Sequence, residues 1–202
     1  MKLYYSPGAC SLAPHIVLEE LGLPYEAVLA STKTKKLPDG SDYHVVNSKG
    51  QVPVLELDGG ERLTEGPVIV QYLADQAPAR KLAPAQGTMA RYRVQEWLNY
   101  TTSELHKNIG TLFNPAMPED GKAVLRARAT SRLQWINDQL AGRKYLMGDE
   151  FSIADPYLYT VSRWAAPTGI DLSGMTHLNA FMARMNERPG VQAALKAEGL
   201  NA

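Results

Sequence analysis

Cys10 is the single cysteine among 202 residues. It has no intrachain disulfide partner, so it is either an inert small core residue or a thiol whose partner comes from outside. Its setting favours the second. A short apolar strand, Leu3-Tyr4-Tyr5, leads through Pro7-Gly8 into a helical pattern that begins near Ser11. A thiol near a helix N-terminus meets unpaired N–H groups and the positive end of the helix dipole, both of which favour the thiolate.

Three further constellations can do chemistry. In Gln51-Val52-Pro53-Val54, the proline extends the residue before it and removes a ladder donor. A cis Val52-Pro53 bond would free the Val52 backbone to pair with an extended peptide; the plain alternative is an edge-strand proline. In Thr64-Glu65-Gly66-Pro67, a glycine at a helix start leaves N–H groups that suit a carboxylate, and Glu65 suits an ammonium; simple capping explains the same residues. Asn99, Ser103 and His106 are spaced i, i+4, i+7 and are expected to share one helical face, with Glu104 and Lys107 beside it. A solvated face is the default for such a set. The four histidines are scattered without metal-ligand spacing, so no metal is expected.

The elements that must position these groups fall into two parts. Residues 1–78 read as β-α-β, then a helix, then β-β-α. Ser11–Leu21 is helical and stops at Gly22, and Tyr25–Leu29 is a strand. Val54–Leu57 and Arg62-Leu63 form a hairpin, for which Asp58-Gly59 suits a type I′ turn. Gly66-Pro67 opens a helix. Ser31 to Tyr43 reads as loop or weak helix. Residues 79–87, rich in proline and small side chains, read as a linker. Over 88–202 every strong pattern is helical: Val94, Leu98, Thr101, Leu105 and Ile109; Leu125, Ala129, Leu133, Ile136 and Leu140; Leu178, Phe181, Met182 and Met185, closed by Pro189. Ser152 and Asp155 are spaced as a capping box, with Phe151 placed for a hydrophobic staple.

Charge excludes several partners. Acids and bases balance at 21 each, which gives no field for nucleic acid or an anionic membrane. No apolar run is long enough to span a bilayer, and the N-terminus lacks the apolar core of a signal peptide. With a single thiol, the expected compartment is the cytoplasm.

Together these segments resemble a known family over essentially the whole chain. They are Lys2-Leu3-Tyr4-Tyr5 with Pro7-Gly8-Ala9-Cys10-Ser11-Leu12; Gly50-Gln51-Val52-Pro53; Leu63-Thr64-Glu65-Gly66; Trp97-Leu98-Asn99 through Ser103-Glu104-Leu105-His106-Lys107; Phe151-Ser152-Ile153-Ala154-Asp155; Arg188-Pro189; and Ala197-Glu198-Gly199-Leu200. The chain is similar to cytosolic glutathione S-transferases, most of all the bacterial beta class, from which the cysteine motif excludes the tyrosine and serine classes. The resemblance implies a thioredoxin-like α/β N-terminal domain over 1–78 and an all-α C-terminal domain over 88–202 that shapes the electrophile site and the interface of a homodimer. It implies a cis Val52-Pro53 bond, with Val52 pairing the cysteinyl part of glutathione, Glu65 and Gly66 taking the γ-glutamyl end, and Lys35 near the glycyl carboxylate. It adds Ala9, Asn99, Ser103, Glu104, His106 and Trp164 to the glutathione site, some of them contributed across the dimer. Phe113, Asn114-Pro115 and Trp164 would line the electrophile pocket. Where relatives often carry Asn-Pro, this chain has Asn47-Ser48, which is expected to alter only a turn. Ser31-Thr32 replaces a common Asp-Leu pair near the glutathione site.

The implied reaction joins glutathione, as co-substrate, to hydrophobic electrophiles. Lowering the glutathione thiol pKa by about 2 units is worth roughly 2.7 kcal/mol. Cys10 and His106 are the expected catalytic residues, Cys10 for thiol–disulfide chemistry and His106 as a base or a substrate-orienting group. A thioltransferase, peroxidase or glutathione-dependent dehalogenase is the neighbouring enzymatic alternative. A non-catalytic binding protein on the same fold is the alternative from another class.

Overall fold

A computed structural model describes residues 1–201, which form two compact units: Met1–Lys81 with the C-terminal segment from Glu187, and Leu82–Asn186. The first unit holds a four-stranded sheet in the order β2-β1-β3-β4, built from β1 (Lys2–Tyr5), β2 (Glu26–Leu29), β3 (Val54–Glu56) and β4 (Arg62–Thr64). β1 pairs parallel with β2, Leu3 opposite Ala27, and antiparallel with β3, Leu3 opposite Leu55. The β3–β4 connection departs from the expected type I′ turn. A type I′ turn needs positive φ at both central residues. Here only Gly60 has it (83°), and it follows a turn in which the Gly60 N–H donates to the Leu57 carbonyl.

Helix α1 (Leu12–Leu21) ends as its sequence predicts: Gly22 adopts φ 66°, and the Leu23 N–H reaches back to the Leu18 carbonyl. Leu12, Ala13, Ile16, Val17 and Leu18 are fully buried, because α1 is covered by α2 (Gly66–Gln76) and by α8 (Pro189–Ala197). Helix α8 lies in the 88–202 stretch expected to be helical, and it packs on α1 as part of the first compact unit. Pro189 does close the preceding helix, but it also opens α8, and α8 belongs to the first unit. Two polar ties attach it. Arg188 donates to both carboxylate oxygens of Glu20, at 2.9 and 2.6 Å. Glu198, just past α8, lies 2.8 Å from His15 Nδ1, and both side chains are fully buried. Pairing is the condition on which charged groups enter a core.

The second unit is helical, as expected: α3 (Met89–Tyr100), α4 (Lys107–Thr111), α5 (Glu119–Gln139), α6 (Ala154–Ser162) and α7 (Thr176–Asn186). The expected seams form most of its core, with Leu125 and Met182 half-buried. Val94, Leu98, Thr101, Leu105 and Ile109 are buried, as are Ala129, Leu133, Ile136, Leu140, Leu178, Phe181 and Met185. Between α3 and α4 the helix widens into a π-helical segment, Thr101–His106. A π turn bonds i to i+5, so it rotates every later side chain out of the α-helical phase.

Candidate functional site

In the first unit, local hydrogen bonds converge on the turn that carries Cys10. Ser11 staples it: its hydroxyl accepts the Ser6 N–H at 3.1 Å and donates to the Ser6 carbonyl at 3.2 Å. The Ala9 N–H also donates to Ser6, and the Ala9 and Cys10 carbonyls accept the first helical N–H groups, those of Leu12 and Ala13. The second carboxylate oxygen of Glu198 accepts the Gly8 N–H at 2.8 Å, which ties the last residues of the chain to this turn. Gly8 stands at φ 70°, where a side chain would be strained.

Cys10 Sγ donates to the Val52 carbonyl at 3.2 Å, and Val52-Pro53 is cis. The preceding peptide is held from its other side. The Gln51 carbonyl accepts from Asn47 Nδ2 at 2.7 Å and from Tyr43 Oη at 2.9 Å. Burial raises the Tyr43 phenol pKa first, with the Tyr4 and Cys10 charges adding, so this hydroxyl keeps its proton and its role as donor at neutral pH. In a trans peptide the C=O and N–H point in opposite directions. The clamp on the Gln51 carbonyl therefore aims the Val52 N–H away from the core, and that N–H has no partner among the described residues. Neither Tyr43 nor Asn47 was expected at the site; the visible signal was the Asn47–Gly50 turn. That turn survives Ser48: the Gly50 N–H donates to the Asn47 carbonyl at 2.7 Å.

The other expected groups of this unit lie around the same loop. A Cβ added to Gly66 would sit 3.8 Å from Pro53 Cγ, so the start of α2 adjoins the proline. Glu65 precedes it at φ 68°, a conformation that non-glycine residues rarely hold outside functional turns. The Glu65 carboxylate is paired with the Lys49 ammonium, which also donates to Thr64 Oγ1 at 2.9 Å. Lys35, at φ 56°, donates to the Gly50 carbonyl at 2.7 Å, and the His44 ring packs where a Gly50 side chain would be. Cys10, Val52, Pro53, Glu65, Gly66, Lys35 and Ala9 are thus brought together within one unit by adjoining contacts.

The second unit divides its expected residues. Asn99 and Ser103 are exposed. Glu104 turns to α5, accepting from Arg132 Nε at 2.9 Å and Arg128 at 3.3 Å. Burial pushes the Glu104 carboxyl up, but the two guanidinium groups hold it below the usual range. His106 instead faces an aromatic wall: its Nδ1 lies 2.6 Å from Tyr157 Oη, and its ring packs edge-on to Trp164 at 4.9 Å. Phe113 stands edge-on to Trp164 at 6.1 Å. The π segment lies between Asn99 and His106, so their spacing along this helix is not that of a regular α-helix.

Comparison with known proteins settles the family. Residues 8–76 match the family described as glutathione S-transferase, N-terminal domain, and residues 101–189 match glutathione S-transferase, C-terminal domain. The chain belongs to the glutathione S-transferase family. The Escherichia coli O157:H7 glutathione S-transferase GstA is 50% identical over 99% of this chain and 100% of its own. The bacterial beta-class glutathione S-transferase of Sphingomonas chungbukensis superposes with a TM-score of 0.96 at 45% identity, covering 100% of both chains. A sphingomonad glutathione S-transferase solved in complex with glutathione superposes with a TM-score of 0.95 at 47% identity, again over 100% of both chains. The fold is therefore that of the cytosolic transferases, and the chain is an enzyme of the bacterial beta-class type. Among the described residues there is no metal-ligand cluster, and no helix is long and apolar enough to cross a membrane.

Proposed function

We propose that this transferase conjugates glutathione to hydrophobic electrophiles and that Cys10 performs thiol–disulfide chemistry at the same place. The observation that carries the reading is the Cys10–Val52 contact at the edge of the cis proline, beside a Val52 N–H aimed outward. An extended peptide would find one donor and one acceptor on Val52. The acceptor is occupied by the Cys10 S–H. Ionising that thiol ends its donation and frees the carbonyl for a substrate N–H. Gly66 at the start of α2 suits the γ-glutamyl carboxylate. Glu65 suits the γ-glutamyl ammonium, which must displace Lys49. Lys35 suits the glycyl carboxylate. His106, Trp164 and Phe113 supply an aromatic wall for the electrophile, with Asn114-Pro115 beside it, and Asn99, Ser103 and Glu104 join the glutathione site, some of them across the interface of a dimer. We infer a homodimer acting in the cytoplasm, with no metal, nucleic acid or membrane partner.

In conjugation, the glutathione thiolate attacks the electrophilic carbon and the leaving group departs with its electron pair. In exchange, the Cys10 thiolate attacks the glutathionyl sulfur of a mixed disulfide between glutathione and another thiol. A Cys10–glutathione disulfide forms, the other thiolate leaves, and a second glutathione resolves the adduct to oxidised glutathione. Retention on immobilised glutathione, with elution by free glutathione and turnover of an aryl halide, tests the first reaction. An enzyme that neither binds the column nor turns over would refute it.

Asn47→Ala removes one of the two donors on the Gln51 carbonyl. The expected result is a KM for glutathione raised about threefold to tenfold, a kcat within about twofold, and a stability loss of about 1–2 kcal/mol. Steady-state kinetics and urea unfolding measure both. An unchanged KM would remove Asn47 from the positioning of Val52.

A further inference from the structure

The loop between Ser31 and Gly50 folds two basic side chains onto one glycine. Backbone bonds tie its arms together. The Lys35 N–H donates to the Ser31 carbonyl at 3.0 Å, the Tyr43 N–H donates to the Lys35 carbonyl at 2.9 Å, and Lys36 and Asp42 form an antiparallel bridge. Lys35 and His44 thereby converge on Gly50. A Cβ added to Gly50 would lie 2.7 Å from His44 Nε2, 3.2 Å from His44 Cδ2 and 3.3 Å from Lys35 Cδ. Only a residue without a side chain leaves room for both, and Gly50 also stands at φ 62°. The Lys35 ammonium donates to the Gly50 carbonyl at 2.7 Å. An ammonium has three protons, so it can keep that carbonyl and still hold a ligand carboxylate.

The His44 ring is oriented by Asp42. One Asp42 oxygen, Oδ1, accepts the His44 backbone N–H at 3.0 Å and lies 2.9 Å from His44 Nδ1. The backbone bond first, then the ring bond, holds the Asp42 carboxyl below its usual range. It is an anion at neutral pH and can only accept, so Nδ1 carries a proton. Nε2 is the nitrogen turned toward Gly50, and it has no partner among the described residues. The ring is half-exposed, open to a ligand. The charged groups around it are Asp42, Lys35 and Lys36 from the loop and Lys49 beside Gly50. Asp42 favours the imidazolium and the lysines oppose it, with the Lys49 ammonium drawn off by Glu65 and Thr64.

We propose that His44 is a second binding residue for the glycyl carboxylate of glutathione, shared with Lys35, and that the site grips the tripeptide more tightly when the imidazole is protonated. The proposal rests on the transferase reading above, which puts Lys35 at that carboxylate. The sign follows from charge. A protonated Nε2 donates a charge-assisted hydrogen bond to the carboxylate, whereas a neutral ring turns a lone pair toward it. With the ligand on Nε2 and Asp42 on Nδ1, two anions flank the ring, so binding draws a proton onto His44. Affinity is greatest at the acid end of the range in which imidazole titrates and falls as pH rises. The contact selects a free carboxylate at the glycyl end, and an amidated tripeptide forfeits it.

S-Methylglutathione is the probe, because its sulfur does not titrate. Calorimetry on the intact protein measures its Kd at about pH 6 and about pH 7.5, beside an analogue whose glycyl carboxylate is an amide. The unaltered protein should bind S-methylglutathione about threefold to fivefold more tightly at the lower pH and the amide equally at both. His44→Gln keeps a donor without the charge and should bind S-methylglutathione equally at both pH values, at about the weaker affinity of the unaltered protein. His44→Leu should be equally flat and weaker still; the glutamine variant guards against a disturbed loop. A pH dependence that survives in both variants, or that the amide shares, overturns the proposal, as does leucine-variant affinity equal to that of the unaltered protein at the lower pH. Binding that is indifferent to His44 overturns this proposal alone. A protein that binds neither ligand overturns the transferase reading and the proposal with it.

Discussion

Cys10→Ala removes disulfide exchange altogether and leaves conjugation within about threefold of the unaltered enzyme. Exchange needs a protein sulfur to carry the mixed disulfide, and no other cysteine exists in the chain. Conjugation needs only the bound glutathione thiol and the donors that hold it. Those donors remain in the variant, because the Gln51 carbonyl clamp, Lys35 and Gly66 do not depend on the Cys10 side chain. The check combines two measurements. Intact mass spectrometry after exposure to oxidised glutathione should show a reducible adduct on the unaltered protein. Parallel assays of disulfide reduction and aryl-halide conjugation then compare the two proteins. If the variant loses conjugation as completely as exchange, Cys10 serves both reactions and the division of labour proposed here is wrong.

Asp155→Ala should cost about 3–5 kcal/mol of stability and lower Tm by about 10 °C. The Asp155 carboxylate is fully buried and accepts three hydrogen bonds: from the Leu146 N–H at 2.8 Å, the Ser152 N–H at 2.7 Å and the Ser152 hydroxyl at 3.0 Å. Alanine leaves those donors facing a core with no acceptor. The sequence spacing predicts a capping box at the start of α6, and Ser152 Oγ does accept the Ala154 N–H, at 3.3 Å. Phe151 packs edge-on to Tyr145 beside it, at 5.6 Å. The tertiary structure adds the Leu146 donor, which joins the cap to the preceding loop. Asp155→Asn keeps an acceptor and should lose less. Calorimetry decides the matter, and a loss below about 1 kcal/mol would show that the three bonds contribute little net.

The local chemistry of the chain was readable wherever it depends on neighbours in sequence. The stop at Gly22, the start at Gly66-Pro67, the cap at Ser152–Asp155 and the apolar seams of α3, α5 and α7 follow from backbone freedom, capping and periodicity. So did the placing of Cys10 before a helix, and the motif set that matched the transferase family. Three things were not readable. Local spacing cannot reveal a π segment, because Thr101–His106 has an ordinary helical pattern; its wider turn is visible only in which partners Glu104 and His106 meet. The return of α8 to the first unit depends on Glu198 and His15, 183 positions apart. The groups that hold the Gln51 carbonyl and meet His106 are Tyr43, Asn47 and Tyr157, ordinary residues until folding brings them within hydrogen-bond distance.

Cys10 shows where the two kinds of information divide. The sequence alone determined that this thiol lacks a partner in its own chain and stands before a helix, since both follow from composition and neighbouring residues. Only the tertiary structure decided that it rests as a donor on Val52, with Glu198 from the far end of the chain holding the same turn. Hydrogen bonds are directional and short, so which groups pair across long sequence separations is set by three-dimensional placement, and no spacing along the chain encodes it.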